Sequence, residues 1–191
     1  MDGLTARLAS RNVHKLTELR SALPGWELEL LGADEYPPET GATYYENALG
    51  KARYGRAIGE SDVWVLGEDS GLEVEGLNGA PGVTSSRFAP AGDFVERLLA
   101  ALSGLEGEAR RARYVCELVC LSPEGEEYRG MGTLEGSIAH EPRGSEGFGY
   151  DPVFVPDGET ATVAHLGNQW KTGHSHRACA ARALRDAIEA R

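Results

Sequence analysis

Apolar positions along the chain change period several times, and each change marks an element. Leu16, Leu19 and Leu23 recur at spacings of three and four. That spacing predicts a helix over residues 12–23, capped by Asn12 and stopped by Pro24-Gly25. Just before it, Arg7-Leu8-Ala9-Ser10 reads as the end of a short strand. Residues 26–31 alternate apolar and acidic side chains, the pattern of a strand with one solvated face. Pro37, Pro38 and Gly41 mark 33–42 as a loop. Thr43, with Glu46 three residues on, then opens a helix through a capping box, and the helix is expected to reach Ile58. Val63-Trp64-Val65-Leu66 is wholly apolar, as a buried strand is. It is expected to deliver Glu68-Asp69-Ser70-Gly71 at its C-terminal end, where open α/β sheets bind ligands. Leu72-Glu73-Val74-Glu75 alternates again, Asn78-Gly79-Ala80-Pro81-Gly82 is a turn, and 93–102 is a short amphipathic helix. Residues 114–121 and 128–138 are strand candidates joined around Ser122-Pro123-Glu124-Gly125. The last strand is expected at 153–155, and alanine-rich 175–190 reads as a helix. Strands interleaved with helices make the fold class α/β.

Composition narrows this picture. A chain of 191 residues fits a single domain, with room for two lobes sharing a sheet, and can bury a core without staples. Its hydrophobic share of 41% is that of a globular chain. No apolar run approaches the ~18 residues of a membrane span, so no membrane partner is expected. Met1-Asp2-Gly3-Leu4-Thr5 lacks the basic start and apolar stretch of a signal peptide. Cys116, Cys120 and Cys179 are sparse, odd in number and form no CxxC pair. Cys116 and Cys120 read as core fillers, and a reducing, cytoplasmic location is the default. The net charge of -11 argues against a broad basic footprint, so no nucleic-acid partner is expected. An anionic ligand would need local cations or a metal against that field.

Five constellations meet that need. Ser10-Arg11-Asn12-Val13-His14-Lys15 joins a strand to a helix start, where amides and the helix dipole favour an anion and Lys15 has the wrong sign unless one docks. It lacks the glycines of a P-loop. Glu39, Glu46, Glu68 and Asp69 are carboxylates of the kind that hold Mg²⁺ or direct a water. Lys171 with Ser175-His176-Arg177 again puts cations at a helix start. Gly147-Phe148-Gly149-Tyr150-Asp151 offers close backbone approach, an aromatic ring (Phe148 or Tyr150) to stack on a base, and an acceptor. Asn47 and Lys51 share one helical face. Each has a plain alternative: a capped surface helix, a solvated acidic turn or an aromatic core anchor.

Taken in order, these pieces resemble the Ham1/RdgB-like inosine triphosphate pyrophosphatases, also called dITP/XTP pyrophosphatases. The similar segments are Ala9-Ser10-Arg11-Asn12-x-x-Lys15-x-x-Glu18, Glu39-Thr40-Gly41, Thr43-Tyr44-x-Glu46-Asn47-Ala48-x-x-Lys51-Ala52, Glu68-Asp69-Ser70-Gly71-Leu72, Leu77-Asn78-Gly79-Ala80-Pro81-Gly82-Val83 with Ser86-Arg87, Gly147-Phe148-Gly149-Tyr150-Asp151-Pro152, and Lys171-x-x-x-Ser175-His176-Arg177. The resemblance implies one domain over 1–191, elongated and two-lobed, with a long mixed sheet flanked by helices and the site in the cleft between lobes. It implies Mg²⁺-dependent hydrolysis of ITP, dITP and XTP to the monophosphate and pyrophosphate by a homodimer that cleanses the nucleotide pool. Asp69 then corresponds to the general base and a metal ligand. Glu39 corresponds to a second Mg²⁺ contact, with Glu35 close enough to compete and Glu68 a further candidate ligand. Ser10, Arg11, Asn12, Val13, His14, Lys15, Lys51 and Ser70 correspond to phosphate contacts. Phe148, Gly149, Tyr150, Asp151, Lys171, His176 and Arg177 correspond to nucleotide contacts. The chain departs from the family pattern at Glu68, where many members have aspartate, at Tyr44 and Arg11, and over 162–170. A broader nucleotide pyrophosphatase and a non-catalytic nucleotide sensor are the alternatives.

Overall fold

The computed structural model describes residues 3–90 and 93–190; Met1 and Asp2, on which part of the N-terminal reading falls, lie outside them. The strands are β1 (Thr5–Leu8), β2 (Glu27–Leu30), β3 (Trp64–Val74), β4 (Arg111–Leu121), β5 (Glu127–Ile138) and β6 (Phe154–Pro156). The helices are α1 (Val13–Ala22), α2 (Tyr44–Ile58), α3 (Phe94–Ala101), α4 (Val163–His174) and α5 (His176–Glu189). One mixed six-stranded sheet runs in the order β2-β1-β3-β4-β5-β6. β1 is parallel to β2 and β3, with Ala6 opposite Leu28 and Trp64, whereas β5 and β6 are antiparallel, Ile138 facing Phe154.

Local chemistry starts the first two helices where the sequence predicts. The Asn12 side chain accepts from the His14 and Lys15 amides at 2.9 and 3.2 Å. Thr43 Oγ1 accepts from Glu46 N at 3.1 Å, and the Glu46 carboxylate returns to Ala42 N at 2.6 Å. The Asn12 and Thr43 side chains satisfy amides that a helix start leaves open, and Glu46 ties down the residue before the cap.

The chain divides into two compact units. The first comprises 3–69, 116–132 and 176–190. Its core packs Ala6, Leu8, Leu19, Leu28 and Leu66 with Leu118, Ala180 and Leu184, and a smaller cluster sets Ala48 and Ala52 of α2 against Val119. Gly67 lets α2 lie on β3, because a Cβ there would meet the Ala48 carbonyl and the Ala52 amide. The second unit comprises 70–90, 93–115 and 133–175. Its core gathers Leu72, Val74, Leu98, Leu102, Ile138, Tyr150 and Val153, with the Tyr114 and Phe154 rings 4.5 Å apart.

Several elements differ from expectation; β4, for one, begins at Arg111, three residues early. β3 does not end before the acidic pair; it is 11 residues long and carries Glu68 and Asp69 in its interior. Buried polar partners let the strand continue where its apolar run stops. α4 was not predicted at all: Gly167, at φ 88°, breaks its periodicity, and the Glu146 carboxylate accepts from Asn168 N at 2.9 Å where the helix resumes. β6 begins one residue later than expected. Among the described residues no helix is long and apolar enough to cross a membrane.

Candidate active site

Successive side chains of a strand point to opposite faces, and this separates Glu68 from Asp69. Glu68, with no exposed surface, turns towards α1 and α5. Its Oε2 lies 2.5 Å from Lys15 Nζ, its Oε1 accepts from Arg177 Nε at 3.0 Å, and the Cys116 thiol approaches Oε1 at 3.6 Å. Arg177 also pairs with Glu18. Burial favours the neutral form of Glu68, but Lys15, Arg177 and Lys51 outweigh it and hold the carboxyl far below its usual range. Burial lowers the pKa of Arg177, but Glu68 and Glu18 outweigh it and raise it above its ordinary value.

Asp69 turns towards α2. Its Oδ1 accepts from Lys51 Nζ at 2.9 Å and its Oδ2 from Asn47 Nδ2 at 3.1 Å. Lys51 Nζ also lies 2.5 Å from Glu39 Oε1 and donates to the Glu68 carbonyl at 2.9 Å. Burial works against the Lys51 ammonium, yet Asp69, Glu68 and Glu39 together raise its pKa. For Asp69 burial prevails over Lys51, so its carboxyl is raised above the ordinary 3.8. A buried carboxylate with a raised pKa beside a cation is a recurrent feature of catalytic centres.

The Ser10–Lys15 turn is more self-contained than its pattern suggests. Ser10 Oγ accepts from Asn12 N at 3.0 Å, and Asn12 takes the His14 and Lys15 amides. Val13 and His14 are exposed. Arg11 donates to the Asp34 carbonyl and sits 5.5 Å from the Tyr36 ring centroid, so it braces the loop after β2. The Glu35 carbonyl accepts from Tyr54 OH at 2.5 Å; Glu39 is the loop carboxylate that reaches Lys51. Ser70 follows Asp69 in β3 and is half-buried.

The second unit carries its own cluster. The Asp151 carboxylate accepts from Lys171 Nζ at 2.7 Å, Phe148 N at 2.9 Å and Tyr114 OH at 3.2 Å. Lys171 Nζ also lies 4.8 Å from the Phe148 ring centroid, a cation–π distance. Gly147 and Gly149 have φ of 80° and 64°, the left-handed backbone that turns the loop around Asp151. Of the two candidate stacking rings, Phe148 is half-exposed. Tyr150 is packed in the core, donates to the Ser85 carbonyl at 3.0 Å, and has its hydroxyl pushed up to about 12 by burial. His176 and Arg177 open α5 and are both buried.

Sequence reasoning gave no site role to Asn47, Tyr114 or Glu18. Asn47 sits one turn before Lys51 and within the segment that resembles the family, and those were its signals. Among the described residues no group of three or more His, Cys, Asp or Glu side chains is placed to hold a metal. What does converge is one oxygen each of Glu39 and Asp69 on a single cation, the Lys51 ammonium. Two hard oxygen donors suit Mg²⁺, which usually takes one or two carboxylates and completes its shell with water and phosphate. Glu68, committed to Lys15 and Arg177, is not part of that pair.

Fold and clusters together define an α/β protein built around a buried carboxylate–lysine centre on the parallel side of its sheet. The Ham1 family model matches residues 6–187, and the chain belongs to that family. A dITP/XTP pyrophosphatase of Bdellovibrio bacteriovorus is 46% identical over 156 residues, covering 80% of this chain and 78% of that one. One of Deinococcus deserti is 44% identical over 192 residues, covering 98% and 90%. The Staphylococcus aureus Ham1 protein superposes with a TM-score of 0.83 at 32% identity, covering 97% of this chain and 98% of that one.

Proposed function

We propose that this chain hydrolyses non-standard purine nucleoside triphosphates (ITP, dITP and XTP) to the nucleoside monophosphate and pyrophosphate, clearing them from the nucleotide pool. The observation that carries the reading is the Asp69–Lys51–Glu39 cluster, in a family whose relatives bear the name dITP/XTP pyrophosphatase. Asp69, with its raised pKa, takes the proton of the attacking water. The water oxygen bonds to phosphorus, the α–β anhydride bond breaks, and its electron pair leaves on pyrophosphate. Lys15 and Lys51 offset the charge gathering on that leaving group. Glu39 and Asp69 would hold Mg²⁺, which supplies charge neutralisation to the triphosphate when bound.

The second cluster suits a base. Phe148 offers its ring for stacking, and Lys171 is a donor for the six-position oxygen that inosine and xanthine carry and adenine lacks. Arg177, oriented within the first unit by Glu68 and Glu18, is a further candidate nucleotide contact. We assign the enzyme to the cytoplasm as a homodimer of single 1–191 domains, each with two lobes; its three cysteines, none in a disulfide, suit a reducing compartment.

The test is pyrophosphate release from ITP, dITP, XTP, GTP and ATP, with Mg²⁺ and with a chelator. Release from the first three, abolished by the chelator, supports the proposal. Equal kcat/KM for ITP, GTP and ATP overturns the selectivity, undiminished release under chelation overturns the metal, and no release from any substrate overturns the activity.

A further inference from the structure

Asn47 lies between two parts of the cluster and touches both. Its side-chain Oδ1 accepts from Gly41 N at 2.8 Å, and its Nδ2 donates to Asp69 Oδ2 at 3.1 Å. Asn47 is 4% exposed, so water does not replace either bond cheaply. The orientation of the amide is dictated chemically. A backbone N–H can only donate, so the amide oxygen must face Gly41, which leaves the NH₂ end to face Asp69. The backbone amide of Asn47 is itself bonded to the Thr43 carbonyl at 3.2 Å, which seats the residue in the first turn of α2. Space is equally restricted: a Cβ on Gly41 would meet Asn47 Oδ1 and its backbone N, so the loop carrying Glu39 lies directly against this side chain.

We propose that Asn47 is a positioning residue that fixes both carboxylates of the Glu39–Asp69 pair through one amide. By occupying Oδ2 it stops Asp69 from rotating and leaves Oδ1 as the oxygen on the Lys51 side. By holding Gly41 it anchors the segment two residues beyond Glu39. The inference rests on the assignment of Asp69 and Glu39 to the reaction proposed above. It adds that their mutual geometry is set by Asn47 as well as by Lys51, one turn further along α2.

Two variants separate the two bonds. Asn47→Asp keeps an acceptor for Gly41 N and loses the donor to Asp69; Asn47→Ala loses both. Misplacement of a reacting group by about 1 Å costs on the order of a hundredfold in rate, so roughly tenfold to a hundredfold losses of kcat are expected in both, with KM for ITP changed less than about threefold. Native-state hydrogen exchange supplies the reading independent of turnover. The Gly41 amide should stay protected in Asn47→Asp and exchange faster in Asn47→Ala. A kcat for Asn47→Asp within about twofold of wild type, with Gly41 still protected, overturns the positioning role. Gly41 equally protected in Asn47→Ala overturns the loop anchor. Wild-type protein that releases no pyrophosphate from ITP sinks the enzymatic assignment instead, and the Gly41 exchange still decides the anchor.

Discussion

Replacing Glu68 by glutamine tests whether this carboxylate anchors cations or holds metal. Glutamine keeps the shape and an acceptor for Arg177 Nε but removes the charge that faces the buried Arg177 guanidinium and the partly buried Lys15 ammonium. Breaking a buried ion pair by neutralising one partner costs about 3–5 kcal/mol, because the other charge is left uncompensated. Two features place Glu68→Gln at the lower end. Arg177 keeps Glu18, and the Lys15 side chain, 16% exposed, has a route to water. A loss of about 3 kcal/mol in a chain of this size lowers Tm by roughly 6–12 °C. The effect carries a pH signature. The folded-state carboxyl of Glu68 lies far below the ordinary 4.5, so its stabilisation is present above the unfolded value and is lost as pH falls through the folded one. Wild type should therefore lose stability on acidification below about pH 4.5 more steeply than Glu68→Gln does. Thermal melts at pH 7 and across the acid range read both effects. A Tm within about 2 °C of wild type, with the Mg²⁺ requirement of turnover raised, would refute the anchor and restore Glu68 as a metal ligand.

Asp69→Asn should retain the wild-type Tm to within a few degrees and lose on the order of a hundredfold to ten-thousandfold in kcat for ITP, the usual worth of a general base; near-wild-type turnover in a pyrophosphate assay would sink the assignment. Phe148→Ala should raise KM for ITP by roughly five- to 150-fold, as base stacking contributes about 1–3 kcal/mol, with kcat changed far less; an unchanged KM would mean the ring only supports Lys171. Burial pushes the Cys116 and Cys120 thiols well up, with Glu68 adding to the effect at Cys116, whereas Cys179 is partly exposed. At pH 8 Ellman's reagent should therefore titrate one thiol per folded chain and all three after unfolding, and a second fast thiol in the folded protein would contradict that burial.

The elements that the sequence marks well are those whose determinants lie within a few residues. Asn12 and Thr43 cap their helices through bonds to amides two or three positions away, so α1 and α2 are legible from the chain itself. α4 is not, because Gly167 resets the helical phase after one turn and the group that restarts the helix, Glu146, is 22 residues distant. The site divides in the same way. Lys15, Lys51, Asp69, Phe148 and Lys171 stand out by residue type at suggestive positions. Asn47, Tyr114 and Glu18 do not, because an amide, a phenol and a surface-like carboxylate acquire meaning only from partners 22, 37 and 159 residues away. Asp151 shows the converse. Its type suggested a direct ligand contact, whereas three donors from within its own unit hold its carboxylate.

The position of the acidic pair inside β3, and not at its end, explains why two adjacent carboxylates behave oppositely. At the end of a strand both side chains could swing towards one ligand, and an extra methylene in Glu68 would merely extend its reach. Within a paired strand they are committed to opposite faces. Each then meets the charge that its own neighbouring helices supply. On the α1 and α5 side Glu68 meets two cations, which together with Lys51 overcome complete burial and keep it ionised. On the α2 side Asp69 meets one lysine that it shares with Glu39, which is too little to offset its burial, so its carboxyl is raised. The additional methylene of Glu68 allows one carboxylate to span Lys15 and Arg177 with separate oxygens. The contrast thus follows from strand alternation and the cations that each face presents: Glu68 is held ionised between Lys15 and Arg177, and the Asp69 carboxyl is left raised.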